Sequence, residues 1–336
     1  MIKSRISLNL LKESNSSNQQ PASMPNEITR IAYNEFCQKT EVPVFVKDWY
    51  LDSACNDGEW DVVFDERKGE VCAAMPYFIK RKYGFSYITM PPFVRYMGPL
   101  LLPEFQNLKD QHRIYKNLID QLPKVDSFNQ NFEPELTNWL PFYWQGYSQS
   151  TRYTYRLDIS GTEEVFKHFA LDIRRNIKKA KDQVRITEEG TAEDFYRVHK
   201  MTFDRQEKGM PYSLDIFSNH IKALEERGLA KMFFAKDDEQ RIHAVSCLMK
   251  DGNMAYYHIS GGDPSLRKSG AGILLVWHII QYARAVWDVK IFDFEGSMIK
   301  NIEQVWHRAG AYQVPYFNVR KNNSRLFNLA EKIRRG

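Results

Sequence analysis

The chain has no organised set of cysteines. Its four, Cys37, Cys55, Cys72 and Cys247, have neither the spacing of a metal or redox site nor the density of a disulfide scaffold. That usage fits free thiols in a reducing compartment, so the expectation is a cytoplasmic protein with no metal site. Long apolar runs are also missing. The longest, around Ala271 to Ile280, falls well short of the roughly 20 residues a bilayer-spanning helix needs, so no transmembrane segment is expected. The first residues lack the charged, apolar, small-residue order of a signal peptide. Strong charge of one sign is absent too: 47 Lys+Arg against 42 Asp+Glu leave a formal net charge of +5. Such a mild excess admits acidic ligands such as nucleotides and gives no reason to expect DNA.

What is present is length and apolar mass. A chain of 336 residues is comfortable for two domains, and 43% hydrophobic with 14% aromatic residues supports sizeable cores. Residues 1–26, rich in Ser, Asn and Gln, read as a disordered tail. Residues 27–150 read as one domain, 151–322 as a second, and 323–336 as a short basic amphipathic helix. In the first domain, Ile28–Lys39 has helical spacing and Val42–Val46 is a β-type run. Trp60–Phe64 and Glu70–Ile79 form a hairpin across Asp65–Gly69. Phe85–Met90 reads as a strand and Glu104–Leu122 as a helix. Val125–Phe132 and Phe142–Tyr147 read as further strands.

In the second domain Tyr153–Ile159 alternates as a strand, and Ser160–Glu163 has the pattern of a capping box. The helix behind it carries the basic run Arg174-Arg175-Asn176-Ile177-Lys178-Lys179. Thr191–Asp194 opens the next helix, Leu214–Arg227 forms another up to Gly228, and Ala230–Ala235 with Ile242–Met249 forms a hairpin. Each half contains a strand of small apolar residues after a charged turn, Val71–Ala74 and Ile242–Val245, which suggests an internal duplication.

The stretch Met254–Val319 carries the chemistry. It reads as strand, glycine-rich turn, helix, strand, helix, strand. The turn ends in Arg267-Lys268-Ser269-Gly270-Ala271-Gly272 and enters an apolar helix, Ile273–Trp287. Bare N–H groups and the positive end of a helix dipole meet there, an arrangement suited to phosphate. Glycines also serve purely steric ends in such turns. The strand Lys290–Glu295 follows, with Asp293 and Glu295 two apart and so on one face. They would bind or deprotonate an ammonium, or else serve as a helix cap or an Arg308 partner.

This order is similar to that of the GNAT acyltransferases. The second half resembles the GNAT-related domain of the Fem-type aminoacyl transferases and their acetyltransferase relatives. The resemblance rests on Arg174–Ala180, on Phe292-Asp293-Phe294-Glu295-Gly296-Ser297, and on Trp306–Tyr316. It implies an α+β fold of two tandem GNAT-like domains, each a mixed central sheet flanked by helices. It also implies that Arg267, Ser269, Gly270, Ala271 and Gly272 hold the pyrophosphate of acetyl-CoA or another acyl-CoA, used as a co-substrate with no permanently bound cofactor.

Candidate catalytic residues are Asp293, Glu295, His258 as a proton carrier, and Tyr316 as a general acid. Arg174, Arg175, Lys178 and Tyr256 are candidates for substrate binding, although a basic run is most often a solvated face and His258 reads equally well as a packed histidine. The leading expectation is an N-acyltransferase acting on the amine of a small metabolite or a cell-envelope precursor. The alternatives are an aminoacyl-tRNA-dependent peptidoglycan peptide aminoacyltransferase, for which transfer RNA would be the donor, and a non-catalytic binding protein on a GNAT frame.

Overall fold

A computed structural model describes residues 27–335, and the expected tail lies outside the described residues. The chain divides into two compact units. One runs to Thr151 and takes back everything from Tyr316 onward; the other is Arg152–Pro315. The C-terminal segment is thus not a separate part after residue 322 but belongs to the first unit.

The first unit opens with helices α1 (Glu27–Lys39) and α2 (Asp48–Ala54). Strands β1 (Glu59–Arg67), β2 (Glu70–Lys82), β3 (Phe85–Thr89), β4 (Leu100–Leu101) and β5 (Ser127–Asn131) follow, with helix α3 (Leu108–Gln121) before β5 and α4 (Leu140–Trp144) after it. The second unit comprises β6 (Ser148–Asp158), α5 (Thr162–His168), α6 (Leu171–Ala180), β7 (Arg185–Thr187), α7 (Ala192–Asp204), α8 (Leu214–Glu225), β8 (Ala230–Lys236), β9 (Ile242–Asp251), β10 (Met254–Gly262), α9 (Ala271–Ala285), β11 (Ile291–Asp293) and α10 (Lys300–Arg308). Strand β12 (Tyr312–Asn322) and helix α11 (Arg325–Arg335) complete the chain.

Local chemistry sets most of these boundaries. Asn107 caps α3 by accepting from the Asp110 N–H, Thr191 caps α7 and Ser213 caps α8. Three readings of the sequence fail. Val44–Val46 is a turn of 3₁₀ helix rather than a strand, and Leu140–Trp144 is helical because Pro141 sits in the first turn, where its missing N–H costs nothing. Helix α5 takes Gly161 rather than Ser160 as its N-cap, with no side-chain cap.

The duplication is visible in the sheets. The first unit has the order β1-β2-β3-β5-β12 and the second β8-β9-β10-β11-β6, with β7 on the outer side of β8. In each, two antiparallel pairings lead to one parallel step, β3 with β5 and β10 with β11, and the next pairing is antiparallel again. Parallel neighbours require a crossover, supplied by α3 in one unit and α9 in the other. Ala73–Ala74 and His243–Ala244 fall on the matching strands β2 and β9.

The core of the second unit is built around α9. Leu274, Leu275, Val276, Trp277, Ile279, Ile280 and Ala283 are buried, so this helix is apolar on more than one face. They meet Ile173, Ile177 and Ala180 of α6 and Phe233, Ala244, Leu248 and Ala255 of the sheet. At about 2 kcal/mol for each large side chain removed from water, this face fixes where the helix starts.

Gly261 marks the closest approach of α7 to β10. A Cβ there would lie 2.4 Å from His199 Cα and 2.8 Å from His199 N, both backbone atoms. We expect Gly261→Ala to lower the urea midpoint by an amount equivalent to roughly 1–3 kcal/mol, the usual cost of overpacking. An unchanged midpoint would contradict the packing described.

Candidate active site

The second unit's sheet splits where its two parallel strands end their pairing. Strands β10 and β11 pair through Met254–Ile291, Ala255–Phe292 and Tyr256–Asp293, and no further. Beyond that point β10 stays with β9 as far as Gly262–Ala244, while the Phe294 N–H donates to Tyr155 O at 2.9 Å and so stays with β6. A wedge opens between the two strands. One side of it holds aromatic rings: Phe294 stacks on Trp306 at 4.4 Å, and Tyr257 meets Trp306 edge-on at 5.4 Å.

A chain of polar groups leads to the other side. Asp293, fully buried, accepts from Arg156 Nε at 3.0 Å and from the Thr154 hydroxyl. Its Oδ1 also accepts from the Glu295 N–H at 2.8 Å. Glu295 itself has φ +54°, followed by Gly296 at +66°. A non-glycine residue in the left-handed region is strained, and here the Asp293 contact holds it there. The turn aims the Glu295 carboxylate at His258, whose Nδ1 lies 2.7 Å from Oε1. His258 sits at an irregularity of the β9–β10 ladder, between Tyr257 and Ile259. A bulge of this kind re-aims a side chain and is common beside active sites.

His258 Nε2 lies 3.2 Å from Nε2 of His220 on α8, and His220 is fully buried. A carboxylate only accepts, so Nδ1 of His258 carries a proton toward Glu295. One proton is shared across the two facing Nε2 atoms of His258 and His220. Burial, and next the neighbouring His258, hold the His220 imidazole far below the usual histidine range, which keeps it neutral.

The glycine turn follows the same strand. Gly270, at φ +75°, closes the 3₁₀ turn Arg267–Ser269 and starts α9. Ser269 Oγ accepts from the Ala271 N–H at 3.3 Å, and the Leu274 N–H donates to Gly270 O at 3.2 Å. Among the described residues the N–H groups of Gly272 and Ile273 take no partner, as expected for an uncapped first turn. A Cβ on Gly272 would meet nothing within 4 Å, whereas one on Gly270 would meet Asn176 O at 3.3 Å and the Ala180 Cβ at 3.4 Å. Helix α6 thus packs directly on the turn. Arg175, Lys178, Lys179 and Lys181 on it and just after it are exposed, and so are Arg267 and Lys268.

In the second unit two buried side-chain nitrogens have no partner among the described residues, Arg174 Nε on α6 and Trp306 Nε1 beside Phe294, and Ser246 Oγ on β9 also lacks one. No group of three or more His, Cys, Asp or Glu side chains able to hold a metal occurs among the described residues. Within them, no helix is long and apolar enough to cross a membrane.

The structure redistributes the expected site residues. Glu295 and His258 come together, joined by His220, which the sequence reading missed. Its only signal was a histidine on the apolar stripe Phe217, His220, Ile221, Leu224. Asp293 and Glu295 do not share a strand face, because β11 ends at Asp293. Asp293 is a buried anchor rather than a group open to substrate, and Arg308 pairs instead with Asp172. Ser269 is buried and bonded within its turn. Tyr256 is buried and sits at the last parallel pair, below the wedge. Tyr316 lies in the first unit, buried edge-on against Tyr96 at 5.3 Å with the Arg95 guanidinium 5.1 Å from its ring.

Comparison with known proteins agrees with this geometry. Residues 167–299 match the family model described as Acetyltransferase (GNAT) domain. The second unit therefore carries a GNAT acetyltransferase domain, and the chain is an enzyme of the N-acyltransferase type. No curated protein sequence matches the chain. Among solved structures, FemX is similar with 13% identity and a TM-score of 0.59, covering 87% of this chain and 96% of its own. L-PGS from Bacillus licheniformis has 11% identity and a TM-score of 0.57, with 94% and 98% covered. A tandem GNAT protein from the clavulanic acid biosynthesis pathway has 9% identity and a TM-score of 0.54, with 88% and 94% covered. At these identities the likeness establishes the fold, two tandem GNAT domains.

The buried histidines give the fold a pH dependence. Burial also lowers His199, whose Nδ1 meets Ser260 O at 2.7 Å. The unfolded chain binds protons that folded His220 and His199 refuse, so unfolding free energy rises with pH up to the ordinary histidine range and is lost below it. Each group contributes at most about 1.4 kcal/mol per pH unit. We expect urea unfolding between pH 5 and 7 to show this slope, and His220→Gln to reduce it. An equal slope in the variant would contradict a neutral buried His220.

Proposed function

We propose that the chain transfers an acyl group from an acyl-CoA to a primary amine, with Glu295 as the group that receives the ammonium. The observation that carries this reading is Gly272. Its missing side chain faces open space, so the fold has no need of a glycine there, whereas a diphosphate approaching the Gly272 and Ile273 N–H groups does. Arg267, Lys268 and the basic residues of α6 supply positive charge around the same point. The pantetheine arm would lie in the wedge, where β10 has lost its β11 partner.

Glu295 has the access that His258 lacks. The Glu295 side chain is 17% exposed and that of His258 1%. The bond from His258 Nδ1–H holds one carboxylate oxygen, and the other takes no partner among the described residues. A substrate ammonium gives its proton to that oxygen. The freed amine attacks the thioester carbonyl, the C–S bond breaks, and the proton shed by the attacking nitrogen goes to the thiolate, which leaves as the thiol. The products are an amide and free CoA. The acceptor is an amine on a small metabolite or on a cell-envelope precursor.

A second reading has a specific observation behind it. The exposed cations Arg175, Lys178, Lys179 and Lys181 beside the donor turn would equally suit a polyanionic donor such as aminoacyl-tRNA. Calorimetric titration with acetyl-CoA separates the two. We expect binding by the wild type, and a loss of at least about tenfold in Gly272→Ala with no loss of stability, since alanine favours the helix by up to ~1 kcal/mol. Glu295→Gln should keep donor affinity and lose about 10²–10⁴-fold in turnover of a responsive amine. If acetyl-CoA fails to bind while charged tRNA binds with steep salt dependence, the second reading replaces the first. Equal acetyl-CoA affinity in Gly272→Ala would remove the turn from the donor site.

A further inference from the structure

The hairpin between β2 and β3 carries a side chain that its turn does not favour. Lys82 pairs with Phe85, so Tyr83 and Gly84 are the two central residues of a tight turn, at φ +54° and +78°. Left-handed positions in such turns are ordinarily filled by Asn, Asp or Gly, and a bulky side chain at the first of them is strained. Packing does not explain the choice, because Tyr83 is 87% exposed. The Lys82 ammonium lies beside it, 5.1 Å from the ring centre.

Helix α11 presents a second apolar surface next to this tip. Phe327 anchors the helix, edge-on to Phe85 at 5.4 Å and 5.5 Å from Tyr87, both on β3. Ser324 Oγ accepts from the Phe327 N–H at 3.2 Å and so holds the first turn. Leu326, Leu329 and Ile333 have the spacing of one helix face, yet they are 70%, 57% and 75% exposed. Tyr83 and Ile333 line the same groove of about 710 Å³, which Phe85, Tyr87 and Phe327 also line. The hairpin tip and the exposed helix face thus flank one depression in the first unit.

Charge around this depression has one sign. Lys82 and Arg320 line it, and among the described residues no Asp or Glu does. Lys80 and Arg81 farther along β2 are matched by Asp57 and Glu59, so the excess comes from Lys82 and the C-terminal segment. Arg325 is exposed at the start of α11, and the sequence RLFNLAEKIRR of that helix has four basic residues against one acidic. An amphipathic helix with a bare apolar face and a basic remainder suits the headgroup layer of an anionic bilayer, where apolar groups enter the acyl boundary and cations meet phosphates. Tyrosine, apolar along the ring and polar at its tip, suits the same layer.

We propose that this face of the first unit, with Tyr83 at the hairpin tip and Leu326, Leu329 and Ile333 on α11, docks the protein on an anionic phospholipid surface, the helix lying in the plane of the interface. The inference does not depend on the acyl-donor reading of the second unit. Its test is flotation of the full chain with vesicles of equal parts phosphatidylglycerol and phosphatidylcholine, and with vesicles of phosphatidylcholine alone.

The expected result is binding to the anionic vesicles, weaker by at least about tenfold on the neutral ones and reduced by added salt. Tyr83→Asn suits the turn better than tyrosine, so it should leave Tm unchanged or raised while weakening vesicle binding several-fold. Leu329→Ser with Ile333→Ser should weaken it by about tenfold or more. Lys82→Glu with Arg325→Glu should weaken it and flatten its salt dependence. Absence of binding to the anionic vesicles overturns the proposal, as does equal binding by Tyr83→Asn and by the serine pair. So does equal binding to both vesicle types. A concentration-dependent dimer that the serine pair dissociates, with no vesicle binding, overturns it in favour of a second copy of the chain on the same face.

Discussion

The second unit depends on one constraint: a parallel strand pair that stops after three residue pairs. Everything of chemical interest sits at that break. On the β11 side, Asp293 is pinned by Arg156 and Thr154 and in turn pins the Glu295 N–H, so the chain turns through two left-handed residues. On the β10 side, the ladder irregularity at His258 aims the imidazole across the gap to meet the carboxylate. Trp306, Tyr257 and Phe294 fill one side of the wedge with apolar surface. The split is therefore held by a buried ion pair and packed rings, and the second Glu295 oxygen takes no partner among the described residues.

The strain at Glu295 belongs to this arrangement. Left-handed backbone at a non-glycine residue costs of order 1–3 kcal/mol and persists only where neighbours over-determine it. Asp293 and His258 do so from two directions. Removing Arg156 would leave the fully buried Asp293 carboxylate without its charge partner, the expensive way to lose a buried ion pair. Fold and site are thus coupled through a few polar groups, while the apolar core around α9 fixes the glycine turn independently.

Much of this was legible in the sequence. The glycine turn, the apolar helix behind it, the hairpins and the acidic residues after Phe292 all carry local signals: turn chemistry, helical period, two-residue alternation. The duplication was visible as a repeated small-apolar strand and is clear in the matching sheet orders. Non-local information was not legible. The aromatic run Phe142–Trp144 has strand propensity, and only Pro141 in a first helical turn decides otherwise. The early end of β11, which takes Glu295 off the strand face of Asp293, depends on how β6 and β10 pair on either side. His220 looked like any residue on an apolar helix stripe. Tyr316 lies past the point where the chain returns to the first unit, and a return of that kind leaves no local mark.

The measurement that tests this account most directly is a crystal structure of the complex with a non-hydrolysable acetyl-CoA analogue. The account predicts the diphosphate on the Gly272 and Ile273 N–H groups, the pantetheine arm between the parted strands, and the acyl carbonyl within reach of the free Glu295 oxygen. A ligand bound with its diphosphate away from the start of α9, or its acyl group remote from Glu295, would contradict it.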